Sequence, residues 1–379
     1  MNKQSKSSIK KMICFVSSMD AGGAETFIMK LYKSIDRDKY QFDFLVSSKA
    51  EGFYDKEIRI MGGCIYYTPP KSRHLFKNLL TSFRIIKNGN YDAALRIASH
   101  SLGTIDLLVA KIAGVKKTVL RSSNAGSTGG GIGYLMHRVF FFLPKYVPNI
   151  KFAPSVLAAE YLFGKSCVHC GDVEILKNSI SLDKYKFSSN SRNIKRCELR
   201  IESNFVIGHV GRFNLQKNHE FLIKVFYEVC QYLTEAKLLL IGKGELEREI
   251  RKQVIKLGLA DRVIFAGERD DVPKLLMAMD VMLFPSFFEG MPNVVIEAQA
   301  TGLPCIISDA ITSEAILSNL VVSLPIKNDL NTIKKWTKHL LEMKDSRSNR
   351  SDGIKVLKDA GYDIKETSEY FTRKIFDDN

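Results

Sequence analysis

The chain has 379 residues, enough for two or three domains, and its 45% hydrophobic and 26% charged residues exclude a disordered chain. Seven Cys scattered from Cys14 to Cys305 make no disulfide framework and fit a reducing compartment. Net charge is +15, and residues 1–175 hold about 25 Lys and Arg against 13 Asp and Glu, so the surplus sits in the first half and suits an anionic partner.

After a basic N-terminus, the apolar run Ile13–Val16 is too short for a signal-peptide core. No run of about 18 apolar residues occurs, so the expectation is a cytoplasmic protein without a membrane-spanning helix. Met12–Ser17 reads as a strand, Ala21–Gly23 as a turn, and Ala24–Ile35 as a helix with Phe27, Ile28, Leu31 and Ile35 at helical spacing. Phe42–Val46, Ala93–Ile97 and Thr118–Leu120 read as strands, and Leu102–Ala113 as a helix. A glycine-rich loop, 126–133, precedes the apolar and basic stretch 134–147. Residues 183–204 are polar without apolar periodicity, and the domain boundary is placed just before them, near Lys177–Asn178.

The rhythm then restarts. Phe205–Val210, Lys237–Ile241, Arg262–Phe265, Val281–Phe284 and Pro304–Ile307 read as strands. Phe221–Leu233 and Glu245–Leu257 read as helices between them, and another helix starts near Pro292. Strand and helix alternating in this way imply an α/β chain with parallel sheets: two Rossmann-like halves, 1–177 and 178–360, with a ligand in the cleft between them. Asp363–Phe376 reads as a helix within a C-terminal segment, 361–379.

Three constellations can carry chemistry. Gly22-Gly23-Ala24-Glu25 follows the first strand and opens a helix, where glycine permits close backbone approach and free N–H groups favour an anion. Gly211-Arg212-Phe213-Asn214-Leu215-Gln216-Lys217 follows the first strand of the second half; Arg212 supplies a planar fork and Lys217 a mobile charge, together suited to a diphosphate. The most informative stretch runs from Phe284 to Ala298. It places Glu289 on a loop, then Gly290, Met291, Pro292 and Asn293 at a helix start, and Glu297 on the helix. Two carboxylates flanking bare N–H groups suit the hydroxyls of a sugar and of a ribose on either side of a diphosphate.

The second half resembles the retaining, nucleotide-sugar-dependent glycosyltransferases of family 4, whose hallmark Glu-x7-Glu is matched by Glu289 and Glu297. EGMPNVVIEAQATGLPCIISD, GRFNLQKNHEFLIKVF and LLLIGKGELE carry the likeness. GGAE, Ala98–Leu102 and Ser155–Gly164 extend it to the first half, in the manner of the exopolysaccharide-synthesis branch. The resemblance implies a GT-B fold, with an acceptor-binding first domain, a donor-binding second domain, and a C-terminal helix returning to the first. It implies that Arg212 and Lys217 hold the donor diphosphate, that Glu289 contacts the donor sugar and that Glu297 holds the ribose. Gly290–Asn293 would touch sugar or phosphates, and Gly22 and Gly23 would close on the diphosphate. Many relatives carry a His after a first-domain strand. Here Val119–Asn124 has none, which leaves Arg121 as a cationic substitute and His100, one strand earlier, as the nearest alternative. His209, just before Gly211, has a supporting place in the cleft. Both a front-face mechanism and a covalent intermediate stay open.

The expected reaction is transfer, with retention, from a nucleoside-diphosphate sugar, a UDP-sugar first. The acceptor would be a glycan, a lipid-linked precursor of a surface or extracellular polysaccharide. No cofactor and no metal are expected, since Cys167, His169 and Cys170 lack a second ligand pair. Nucleic acid is not an expected partner, there being no groove-reading basic helix. Aromatic and basic residues in 134–147 suggest peripheral contact with an anionic membrane surface, on the inner face of the cell membrane. Two rivals are a sugar-nucleotide epimerase on the same fold and a non-enzymatic anion-binding protein.

Overall fold

The computed structural model describes residues 9–20, 22–48, 50–123, 132–345, 350 and 352–377. The chain divides into two compact units, Met1–Ile180 with Asp363–Asn379, and Ser181–Tyr362.

The first unit is built on seven parallel strands: β1 (Lys10–Val16), β2 (Tyr40–Val46), β3 (Ile65–Tyr67), β4 (Ala93–Ala98), β5 (Lys117–Ser122), β6 (Ile150–Ala153) and β7 (Glu174–Ile175), in the order β3-β2-β1-β4-β5-β6-β7. β1 shows why the sheet is covered on both sides. Met12, Cys14 and Val16 join one apolar cluster, with Phe42, Phe44 and Phe27. Ile13 and Phe15 join the other, with Leu45, Ala94 and Leu120. A strand buried on both faces reads as a continuous apolar run, which is how β1 reads. The chain end completes the first cluster through Ile364, Phe371 and Ile375. Ile180 and Asp363 form a parallel bridge, and Ser179 and Thr367 hydroxyls meet at 2.7 Å. The C-terminal helix Ile364–Thr372 therefore returns to the first unit.

The second unit has six parallel strands: β8 (Phe205–Val210), β9 (Ala236–Ile241), β10 (Val263–Gly267), β11 (Val281–Phe284), β12 (Cys305–Ser308) and β13 (Val321–Leu324), in the order β10-β9-β8-β11-β12-β13. Helix His219–Val229 buries Phe221, Leu222, Val225 and Phe226 against Leu238, Leu240 and Val281. Trp336 closes that core, donating its indole N–H to the Pro325 carbonyl at 2.8 Å.

The polar stretch 183–204 holds a helix, Ser189–Leu199, that the missing apolar periodicity concealed. Its inward face is cationic. Arg192 donates to the Met277 and Met279 carbonyls at 2.9 and 2.7 Å, and Arg196 to Ala278 at 2.8 Å. Both pair with Asp280, and Lys195 pairs with Asp271 at 2.8 Å. The two arginines thus cap the negative C-terminal end of helix Val272–Ala278, while Lys195 holds Asp271 at its start. Arg350 adds bonds to the Leu276 and Met277 carbonyls, and burial lowers its pKa to about 9. No helix among the described residues is long and apolar enough to cross a membrane.

Candidate active site

In both sheets the strand order reverses at one place, between β1 and β4 and between β8 and β11. Such reversals open a crevice beyond the carboxyl ends of the strands, because successive connections leave in opposite directions. The second unit's candidate residues follow β8 and β11. Gly22 and Gly23 follow β1, and His100 follows β4.

After β8 the backbone is seated on the turn after β9. Gly211 N–H donates to the Ile241 carbonyl at 2.9 Å, and Phe213 N–H to Lys243 at 3.0 Å. Gly242 has φ +134°, and a Cβ there would lie 2.1 Å from the Gly211 oxygen, so this close approach requires glycine. A short 3-10 turn, Leu215–Lys217, then brings Lys217 back toward β8. The Asn214 side chain accepts from Lys217 N–H at 3.2 Å, and Asn218, at φ +54°, starts helix His219–Val229.

The loops after β8 and β11 are tied together by Gln216. Its carbonyl accepts from Phe287 N–H, and its amide donates to the Phe288 carbonyl, each at 2.9 Å. Across this clasp Lys217 Nζ lies 2.6 Å from Glu289 Oε1 and 4.5 Å from the Phe284 ring centre. The pair is largely buried, at 16% and 10% side-chain exposure, so its attraction is little screened. Arg212 is different. It is 71% exposed, with Nη2 3.3 Å from Glu245. A Cβ at Gly290 would meet nothing within 4 Å, which leaves open space beside Glu289.

Helix Asn293–Ala300 starts after Pro292 with no side-chain cap, so Pro292 occupies the capping position itself. Met291 and Asn293 are half-buried beside it. Glu297 is half-buried, and its carboxylate accepts from the Tyr185 hydroxyl, whose pKa is raised by burial first and by Glu297 second.

Behind Lys217 lie two buried histidines. His209 Nδ1–H donates to the Leu283 carbonyl at 2.8 Å, which ties β8 to β11. The His219 ring stacks on Phe213, with ring centres 4.1 Å apart, and meets His209 edge-on at 4.7 Å. Burial first, then the two rings' mutual approach at His209 and the Lys217 charge at both, hold them in the neutral form: His209 titrates well below the usual range and His219 near pH 4. Six side-chain atoms of the second unit are buried with no hydrogen-bond partner among the described residues. They are His209 Nε2, both His219 nitrogens, Ser286 Oγ, Asn293 Oδ1 and Thr337 Oγ1. All but the last belong to the two loops and their flanks. Buried polar atoms without partners are costly, and a polar ligand at these loops would satisfy those it reaches.

Comparison with known proteins decides the family. The model for group 1 glycosyl transferases matches residues 204–341. The chain is 31% identical over 370 residues to the "Putative glycosyltransferase EpsF" of Bacillus subtilis, covering 95% of this chain and 94% of that one. The chain belongs to the group 1 glycosyl transferases. It is also 26% identical, over 81% of each chain, to the UDP-Gal:alpha-D-GlcNAc-diphosphoundecaprenol alpha-1,3-galactosyltransferase of Escherichia coli. Among solved structures, HepE of Anabaena in complex with UDP superposes with a TM-score of 0.78 at 17% identity, covering 97% of this chain and 99% of that one. The two parallel-sheet units constitute the GT-B fold.

In this glycosyl transferase the first unit's candidates are placed as follows. Gly22 caps helix Gly23–Ser34 without a side-chain bond, and a Cβ on Gly23 would face open space. Arg121 is buried within its own unit. It donates to the Leu176 carbonyl at 2.8 Å and to Asn178 Oδ1 at 2.7 Å, and its guanidinium lies 3.6 Å from the Phe27 ring centre. Burial lowers its pKa to about 9. His100 is exposed at the start of a 3-10 turn, Ser101–Thr104, and is biased toward the neutral form by partial burial and by Arg96. Residues 126–131 of the glycine-rich loop lie outside the described residues. Cys170 and His169 bond back to the carbonyls of Ser166 and Lys165 within their own helix.

Sequence reasoning missed Tyr185, which sits in the stretch without periodicity, and His137. The His137 Nδ1 accepts from Ser101 N–H at 3.1 Å, and its ring stacks on Tyr161. No pattern in one sequence announces either contact.

The two histidines predict an acid-sensitive second unit. Unfolded, they bind protons from about pH 6.5 downward. Folded, His219 refuses its proton until about pH 4, and His209 likewise titrates well below the usual range. Between those limits the unfolded chain binds more protons, so stability falls as pH falls. Thermal unfolding should show Tm dropping from pH 7 to pH 5, with a shallower drop in His219→Phe.

Proposed function

We propose that the enzyme transfers a sugar, with retention, from a nucleoside-diphosphate sugar to a lipid-linked glycan acceptor during synthesis of a surface or extracellular polysaccharide. UDP-sugars are the first donors to try, and the first unit would carry the acceptor. The observation that carries this reading is the buried Lys217–Glu289 pair at the strand-order reversal, on loops whose flanks hold buried polar atoms without partners among the described residues. Two names support it: the relative from Escherichia coli takes UDP-Gal and a diphosphoundecaprenol-linked acceptor, and HepE was solved with UDP.

In this reading the donor diphosphate takes the charge of Lys217, with Arg212 swinging in from solvent. Glu289, released from Lys217, accepts from donor-sugar hydroxyls, and Glu297 accepts from the ribose. Backbone N–H groups of Gly290–Asn293 complete the cradle. As the bond from sugar to phosphate stretches, negative charge grows on the leaving diphosphate, where Lys217 and Arg212 stabilise it. The acceptor hydroxyl attacks the face the diphosphate leaves, and a phosphate oxygen takes its proton. No metal or cofactor is assigned a part. The work would be done at the inner, anionic face of the cell membrane.

The test is an NMR time course with UDP-galactose, UDP-glucose or UDP-N-acetylglucosamine and a diphosphoundecaprenol-linked N-acetylglucosamine. An α-linked product from the α-linked donor is expected. A β-linked product would contradict retention, and a new UDP-sugar formed without acceptor would assign an epimerase.

A further inference from the structure

Between Glu57 and Glu160 the only carboxylates are Asp92 and Asp106, against fourteen Lys and Arg. That stretch therefore holds +12 of the chain's net +15. Within it, helix Lys71–Gly89 carries Lys71, Arg73, Lys77, Arg84 and Lys87 and no carboxylate.

In its first half this helix sorts its residues the wrong way round for a protein in water. Its buried positions include Asn78 and Ser82. Asn78 donates to Thr68 Oγ1 at 2.8 Å and to the Pro69 carbonyl at 2.7 Å. Ile86 is buried and Phe83 and Ile85 pack against the core, but in the first half the apolar residues face outward: Phe76 is 87% exposed, Leu80 50% and Leu75 44%. Arg73, Lys77 and Arg84, also exposed, are interleaved with them. The root of the helix is fixed: Lys71 pairs with the buried Asp106, which Arg96 also approaches at 3.5 Å. The backbone breaks helical geometry at His74, so Leu75 and Phe76 start a new run. The helix packs against Ile105–Ile112, where Ile112 is 67% exposed.

We infer that helix Lys71–Gly89, with its neighbour Ile105–Ile112, is a docking face for an anionic lipid bilayer. It rests on the lipid-linked acceptor of the proposed function for its purpose, and on this surface for its chemistry. Bare apolar side chains among unopposed cations match the boundary between acyl chains and acidic headgroups. A nucleic acid would use the cations and leave Phe76 and Leu80 in water. A second copy of the chain would bring the same positive charge to the contact. Segment 134–147, the expected membrane contact, supplies exposed Val139, Phe142 and Tyr146, but His137 holds part of it inward.

The test is co-sedimentation of the full chain with phosphatidylcholine vesicles, with and without phosphatidylglycerol. Binding should need phosphatidylglycerol and weaken with salt. The triple change Leu75→Ser, Phe76→Ser, Leu80→Ser, and separately Arg73→Glu with Lys77→Glu, should each lower the partition coefficient by about tenfold or more. UDP-induced thermal stabilisation should be unchanged in both variants, which keeps a failure here distinct from a failure of the transferase reading. Unchanged sedimentation of both variants would overturn the inference. Loss of sedimentation only on Val139→Ser, Phe142→Ser and Tyr146→Ser would move the contact to the other segment. Loss of oligonucleotide binding with vesicle binding intact would give the surface to nucleic acid. A shift from dimer to monomer with vesicle binding intact would give it to a second copy.

Discussion

Lys217→Met and Glu289→Gln should each lower kcat by about 10²–10³-fold, the range found when one preorganised charge partner of a developing anion is removed. Lys217 Nζ and Glu289 Oε1 are 2.6 Å apart, so each side chain orients the other before any substrate arrives. Removing either also strands the other's charge in a largely buried place. That should cost about 2 kcal/mol of stability, less than the ~3–5 kcal/mol of a fully buried pair. The double variant should be far less damaged than the product of the single effects predicts, because both changes break one device. Arg212→Ala should be milder, about tenfold, because this side chain is mostly solvated and, among the described residues, engaged by Glu245. Steady-state kinetics and thermal unfolding of the four proteins check this.

Gly242→Ala should be the most destabilising single-methyl change in the second unit. It adds a side chain at φ +134°, where L residues are strained, and places the new carbon 2.1 Å from the Gly211 carbonyl oxygen. The strain and the forced shift together should cost about 3 kcal/mol or more. For a unit of this size that is a drop of roughly 10 °C in Tm. The shift would not stay local. Gly211 leads directly to Lys217, and a Cβ at Gly211 would already lie within 3.2 Å of the Lys217 stem. Nucleotide affinity should therefore fall along with stability. Gly290→Ala is the control, since its Cβ has open space: stability should hold while donor affinity falls.

Strands buried on both faces, such as β1 and β8, were legible because of their apolar runs, Met12–Val16 and Phe205–Ile207. The glycines and charged residues after β1, β8 and β11 were legible because they are residue types that core packing does not need. What stayed hidden was stabilised by something other than apolar burial. Helix Ser189–Leu199 is held by arginines on carbonyl groups, so it leaves no hydrophobic period. Helix Lys71–Gly89 buries Ile86 but also Asn78 and Ser82, and exposes Phe76, which blurs the signal that assigns an amphipathic helix. The Lys217–Glu289 contact joins residues far apart in the chain and depends on the clasp at Gln216. The partnership of Tyr185 with Glu297 needs a short helix at the start of the second unit that sequence alone did not show.

In the proposed function the loops after β8 and β11 bind the nucleoside diphosphate of a sugar donor. Thermal unfolding with uridine, guanosine, adenosine and cytidine mono- and diphosphates, on wild type and Lys217→Ala, tests it directly. A ligand at 100 times its dissociation constant stabilises by about 2.7 kcal/mol, well within measurement. The prediction is a rise in Tm with one diphosphate, UDP first, smaller with its monophosphate and lost in Lys217→Ala. No rise with any diphosphate, or an equal rise in the variant, would contradict it.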